Sequence, residues 1–138
     1  MLMIQLIYAA KGNGKTKRLL NMVNTEVKEA SGTVVFIDDD KRYLREVDSQ
    51  ARFVDISEYG IDSAETLYGF LCGMYAQNYD IQSFYIDAFL KIVKVEPEEL
   101  EAFFKAVYAF CDERNINIVF CVSAEVEKAP AFLKEWII

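Results

Sequence analysis

The chain has 138 residues, 53% of them hydrophobic and 27% charged. This composition is typical of a folded globular protein, and the length predicts one domain over residues 1–138. The 22 acidic and 15 basic residues give a net charge of −7, which disfavours bulk nucleic-acid binding because like charges repel. The sequence contains no histidine, which excludes His-based catalysis and His-ligated metals.

The cysteines and the apolar start of the chain indicate the cellular compartment in which the protein is expected. An odd number of cysteines in apolar stretches, Cys72, Cys111 and Cys121, argues against a disulfide framework and predicts reduced thiols. The run from Met1 to Ala10 lacks the basic region of a signal peptide, and no stretch approaches the ~18 apolar residues of a membrane helix. We therefore expect a cytoplasmic protein that does not contact a membrane.

Short apolar runs alternate with longer amphipathic ones. The apolar runs predict strands at residues 4–9, 33–37, 82–86 and 116–122, and a strand nearer an edge at 52–56. The amphipathic runs predict helices at 15–30, from Ser63 to about 78, from Pro97 past 111 and at 129–138, while 41–47 allows a short helical segment. Helical crossovers between buried strands predict a three-layer α/β/α sandwich with a mostly parallel sheet. Ligands of such sheets bind at the carboxyl ends of the strands.

The segment between the first strand and the first helix matches the phosphate-loop (Walker A) pattern. It reads AAKGNGKT from Ala9 to Thr16, with Ala in place of the first glycine. Gly12 and Gly14 let backbone N–H groups turn towards phosphate oxygens, and the helix that follows directs its positive end at the same anion. Lys15 can contact the β- and γ-phosphates and the Thr16 hydroxyl can ligate Mg²⁺. The alternative is a glycine-rich turn with a solvated lysine. The predicted nucleotide contacts are Ala10, Lys11, Gly12, Asn13, Gly14, Lys15, Thr16 and Lys17.

Further polar residues follow predicted strands. Asp87 ends the strand at 82–86 and is a candidate second Mg²⁺ group, the alternative being a helix cap or turn residue. Asp38, Asp39 and Asp40 follow the strand at 33–37; one of them could act as a general base, or the three could form a solvated acidic turn. Ser123 could contact the γ-phosphate or be a simple turn hydroxyl. The nearby basic residues could pair locally or touch a nucleotide; they are Lys41, Arg42 and Arg45.

The AxxxxGKT motif together with a strand that ends in Asp87 resembles the phosphate-loop NTPase superfamily, specifically its RecA-like branch. The resemblance implies that the strand at 116–122 separates the other two and that a catalytic acid lies within 38–40. The Glu that often follows the strand Asp is Ala88 here, which argues against hydrolysis by that residue but not against binding. The whole chain is similar to small bacterial proteins often labelled twitching-motility (PilT-like) ATPases. Without histidines or room for the extra N-terminal domain of those motors, the resemblance implies a reduced ATP-binding core.

The leading hypothesis is an ATP-binding protein with slow Mg²⁺-dependent NTPase activity. Lys15 and Asp39 are its candidate catalytic residues, and Thr16 and Asp87 its candidate metal ligands. No arginine finger in cis is evident, so turnover could require a protein partner or a second copy of the chain. The alternatives are a nucleotide-binding switch that does not hydrolyse its ligand and a small nucleoside kinase-like phosphotransferase.

Overall fold

The fold was obtained as a computed structural model that describes residues 3–138; Met1 and Leu2, part of the apolar start discussed above, lie outside the described residues. Five strands form one all-parallel sheet in the order β1-β5-β4-β2-β3. Their bounds are β1 Ile4–Ala9, β2 Thr33–Asp38, β3 Arg52–Asp55, β4 Ile81–Ile86 and β5 Asn117–Ser123. The five predicted strands are confirmed to within one residue at each end. The edge position of β3 and the position of β5 between β1 and β4 are also as expected.

Four α-helices connect the strands. They are α1 Lys15–Glu26, α2 Ala64–Gln77, α3 Phe89–Val93 and α4 Glu101–Arg114. The prediction for α2 is confirmed together with its cap, because the Ser63 hydroxyl accepts from the Thr66 N–H and the Thr66 hydroxyl accepts from the Ser63 N–H.

Helices cover both faces of the sheet because strand side chains alternate between the faces. Leu19 and Val23 of α1 pack in one apolar cluster with Phe36 of β2 and Tyr85 of β4. A larger cluster lies on the opposite face, where α2, α3 and α4 pack. It includes Val35, Ile37, Leu67, Leu71, Phe84, Phe89, Phe104 and Phe120. The arrangement is that of an α/β sandwich.

Three predicted helical segments between β1 and β5 differ from the structure. Residues 41–47 form successive turns rather than a helix, since the Asp40 side chain accepts from the Arg42 N–H and holds the turn locally. Helix α1 ends at Glu26 rather than at residue 30. The segment from Pro97 begins as a single 3₁₀ turn, and α4 starts only at Glu101.

The chain end and the region after β4 differ as well. Residues Ala131–Trp136 form a 3₁₀ helix, after which Ile137 pairs with Leu6 of β1. Helix α3 was not predicted. Cys72, Cys111 and Cys121 are free thiols, as expected. Within residues 3–138, every helix is too short or too polar to cross a bilayer.

Candidate functional site

The carboxyl ends of β2 and β4 bring two aspartates side by side. Ile37 of β2 is in register with Ile86 of β4, so the residues that follow, Asp38 and Asp87, are neighbours at the same sheet edge. Alternation along each strand puts both on the face against which α1 packs. The Asp87 N–H donates to the Ile37 carbonyl at 2.9 Å, which continues the pairing one residue past β4. The sheet thus delivers two carboxylates to the start of α1.

The predicted phosphate loop lies between β1 and α1. Gly12 and Gly14 have φ of 84° and 72°, in the left-handed region where a side chain is strained. Gly14 immediately precedes α1, and its carbonyl accepts the Arg18 N–H at 3.2 Å. Within residues 3–138, the backbone N–H groups from Gly14 to Lys17 donate to no other protein group. Four donors and the positive end of a twelve-residue helix therefore face the same space.

Lys15 is buried although it is charged. Only 7% of the residue is exposed, and its ammonium donates to the Ala10 carbonyl of the loop at 3.1 Å. Within the described residues it has no carboxylate within salt-bridge distance. A buried cation that only a loop carbonyl contacts is costly unless an anion accompanies it.

Thr16, the first residue after Lys15, meets the end of β4. Its hydroxyl lies 3.1 and 3.3 Å from the two carboxylate oxygens of Asp87. Asp87 is itself buried. One hydroxyl and one carboxylate converge here from residues 71 positions apart, and oxygen donors of these types are the ones that Mg²⁺ prefers.

Like its neighbour Asp39, Asp38 has a buried carboxylate oxygen without a hydrogen-bond partner among the described residues. It is buried, its Oδ1 accepts the Asp39 N–H at 2.8 Å, and its Oδ2 has no hydrogen-bond partner among the described residues. Burial, and then repulsion from Asp87, raises the pKa of Asp38 to about 8. The side chain therefore carries a proton near neutral pH and could exchange it with a ligand or with water.

A cleft of about 1160 Å³ opens along this sheet edge, larger than most small-molecule sites. Its charged lining residues are Lys11, Lys15, Lys17, Arg42, Lys91, Lys94, Lys128, Asp38, Asp87, Glu96, Glu98 and Glu125. Basic side chains outnumber acidic ones in this lining by seven to five, whereas acidic residues outnumber basic ones by 22 to 15 in the whole chain. The cleft thus reverses the sign of the protein's charge and favours an anionic ligand.

The predicted site residues do not all lie in the cleft. The ones that line it are Lys11, Gly12, Gly14, Lys15, Thr16, Lys17, Asp87 and Ser123. Ala10 and Asn13 instead shape the loop, since the Asn13 amide donates to the Ala10 carbonyl at 2.9 Å. Asp39, the predicted catalytic acid, is not part of the cleft wall, and Asp38 is. Asp39 follows the last residue of β2, but its carboxylate remains close to the other two, because one carboxylate oxygen from each of Asp38, Asp39 and Asp40 lies within 4.8 Å of the others.

Cys121 and Ala88 have structural roles at the site that the sequence did not predict. Cys121 of β5 donates its S–H to the Lys15 carbonyl at 3.6 Å, and burial raises the pKa of this thiol, so it supports the start of α1 as an inert packing group. Ala88 directly follows Asp87 with φ of 54°, a strained conformation for a residue with a side chain. No sequence signal marks either role, since both depend on contacts and backbone conformation that form only in the folded protein.

No protein-family model matches the chain, and no curated protein matches it. The resemblance to phosphate-loop NTPases remains a prediction that rests on the loop motif and the strand-end aspartate.

Proposed function

We propose that this protein binds a nucleoside triphosphate, expected to be ATP, with Mg²⁺, and hydrolyses it slowly. The observation that carries the proposal is the convergence of three groups at one sheet edge. The buried Lys15 ammonium and the free N–H groups at the start of α1 offer positive charge, and the Thr16–Asp87 pair offers oxygen ligands beside them.

The donor set fits the metal that the proposal requires. Thr16 and Asp87 would hold Mg²⁺, which would neutralise charge on the phosphates. The unpartnered Asp38 oxygen beside Asp87 supports this assignment, because neighbouring buried carboxylates are stabilised when a cation binds near them.

The chain's own residues have separable tasks in the proposal. Lys15 and the N–H groups from Gly14 to Lys17 bind and orient the phosphates. Asp38 lines the cleft, whereas the predicted Asp39 does not. Once Asp38 has lost its own proton, which Mg²⁺ held beside it by Asp87 would favour, its carboxylate would accept a proton from an attacking water. Ala88 follows Asp87, so the residue directly after β4 supplies no acid, and Asp38 at the end of β2 is the proposed one.

Replacement of Lys15 by Met tests the proposal, since Met keeps the apolar stem and removes the charge. With ATP and Mg²⁺ at a hundredfold excess over Kd, the wild type should gain about 2.7 kcal/mol, roughly 8 °C in Tm for a chain of this size. Lys15→Met should weaken ATP binding at least about tenfold, the value of one hydrogen bond between charged groups. Tm with and without nucleotide, and Kd from isothermal titration calorimetry, measure both.

Lys28→Met is the matched control, because Lys28 is exposed and lies beyond the end of α1. It should bind ATP as the wild type does. A wild-type protein whose Tm does not change with ATP and Mg²⁺, or a Lys15→Met variant that binds as tightly as Lys28→Met, would contradict the proposal.

A further inference from the structure

Arg42 is placed on the wall of the cleft by the turns that follow β2. Its backbone N–H donates to Oδ1 of Asp40 at 2.9 Å and its guanidinium donates to Oδ2 of the same carboxylate at 3.2 Å. The guanidinium carbon lies 5.4 Å from the centre of the Tyr43 ring. Within residues 3–138, no other arginine lines the cleft. The turn segment therefore presents one guanidinium to the ligand space.

Arg42 borders the same cleft as Lys15 and the two buried aspartates, Asp38 and Asp87. The hydrogen bond to Asp40 is the main cause that raises the pKa of Arg42. The guanidinium therefore stays charged beside the space in which Lys15 would hold a phosphate chain.

The contact that holds Arg42 is easily exchanged. The Arg42 and Asp40 side chains are 57% and 47% exposed, and exposed ion pairs of this kind contribute little to stability because water competes with them. Only one guanidinium nitrogen is engaged by Asp40, so the fork remains available to a second acceptor. A phosphate group, with its higher charge, is a stronger acceptor for that fork than a solvated carboxylate.

We propose that Arg42 contacts the terminal phosphate of the bound nucleoside triphosphate and so makes the site distinguish triphosphates from diphosphates. The proposal rests on the proposed function above. Lys15 and Arg42 line the same cleft, so a phosphate chain held by Lys15 and the α1 amides would lie in the space that Arg42 borders. The guanidinium of Arg42 offers donors for the additional charge that a terminal phosphate brings. The sequence showed no arginine finger in cis and left open whether Arg42 pairs locally or touches a nucleotide. The turns at 41–47 allow both, since they pair Arg42 with Asp40 and place it on the cleft wall.

The test compares binding of ADP and of a non-hydrolysable ATP analogue, each with Mg²⁺, by isothermal titration calorimetry. The proteins are the wild type, Arg42→Ala and Arg45→Ala. Arg45 is the matched control, because it is exposed on the same turn segment but does not line the cleft. Arg42→Ala should lose about tenfold in affinity for the triphosphate, as expected for one charge-assisted contact. Its affinity for ADP should stay at the wild-type value, and Arg45→Ala should match the wild type for both ligands.

The outcomes separate this proposal from the one it rests on. If the wild type binds neither nucleotide, the proposed function and the role of Arg42 both fail. If the wild type binds both ligands but Arg42→Ala leaves the triphosphate affinity unchanged, or lowers both affinities equally, only the role of Arg42 is overturned. An equal loss in Arg45→Ala would assign the effect to the general charge of the turn and would also overturn it.

Discussion

Carboxylates lie beside β4 at both of its ends, and they differ in how much of their hydrogen-bonding capacity is used. Near its start, Glu26 of α1 accepts from the Gln82 amide at 2.9 Å and from the Ser83 and Tyr85 hydroxyls at 2.5 Å each. Near its carboxyl end, Asp38 accepts one N–H and keeps an oxygen without a partner in the described part of the chain. The first arrangement joins α1 to the sheet. The second leaves unmet bonding capacity facing a cleft, which is what a ligand site requires.

Removal of the satisfied carboxylate should have the largest effect on stability. Glu26→Ala leaves Gln82, Ser83 and Tyr85 without their shared acceptor, so the free energy of unfolding should fall by about 3 kcal/mol. Urea denaturation measures it. Glu29→Ala is the control, because Glu29 is exposed near the same end of α1. A loss below about 1 kcal/mol would show that the network does not join α1 to the sheet.

Replacement of Asp38, the carboxylate with an unpartnered oxygen, should raise the stability of the protein, whereas replacement of Glu26 should lower it. The pKa of Asp38 is raised from 3.8 to about 8 in the folded protein, so the native state holds a proton that the unfolded chain releases. The contribution of Asp38 to stability is therefore complete below pH 4 and is lost as the pH rises to about 8. Asp38→Asn removes this dependence and should be more stable than the wild type at pH 8 by about 1.4 kcal/mol or more, the equivalent of one pKa unit.

Urea denaturation of Asp38→Asn between pH 4 and 8 measures that difference, with Asp112→Asn as the control because Asp112 is exposed on α4. Under the proposed function the stabilised Asp38→Asn protein should also release no phosphate from ATP. Parallel stability curves for the wild type and Asp38→Asn would contradict the raised pKa of Asp38 in the folded protein.

The strain beside Asp87 should give the smallest effect. Ala88 has φ of 54°, and glycine adopts this conformation without the clash of a Cβ atom, although its unfolded state is more flexible. Ala88→Gly should therefore stabilise the protein by about 0.5 kcal/mol, measured as a shift in the urea midpoint. Asn115→Gly is the matched change at φ of 56° and should be nearly neutral, because asparagine tolerates this region. Destabilisation by Ala88→Gly would mean that the Ala88 side chain itself is needed at the cleft.

The sequence predicted those parts of the molecule that depend on local pattern. Buried strands read as apolar runs, and the capping box of Ser63 and the glycines of the loop have direct local causes. Asp87 could be selected because it is the one acid at the end of its strand. Asp38 could not be separated from Asp39, because which of two adjacent acids lines the cleft depends on where β2 ends and on the elements around it in the assembled fold.

The remaining differences also arise from tertiary contacts. Helix α3 has only five residues and lies between Ala88 and Lys94, both in the left-handed region. Its buried residues Phe89, Ile92 and Val93 fix it against the core. Nothing in its local sequence marks such boundaries, since glycine or asparagine usually occupies those positions. The chain end likewise follows from the pairing of Ile137 with β1.

The most direct test of the central claim is a titration of the ¹⁵N-labelled protein with ATP and Mg²⁺, followed by amide chemical shifts. If the start of α1 holds the phosphates, the N–H signals of Gly14, Lys15, Thr16 and Lys17 should shift most, because these donors are free in the protein alone. Asp38 and Asp87 should follow, and residues around Glu26 should change little. Unchanged signals in this loop at saturating nucleotide, or the largest shifts at the Glu26 end of β4, would contradict the account.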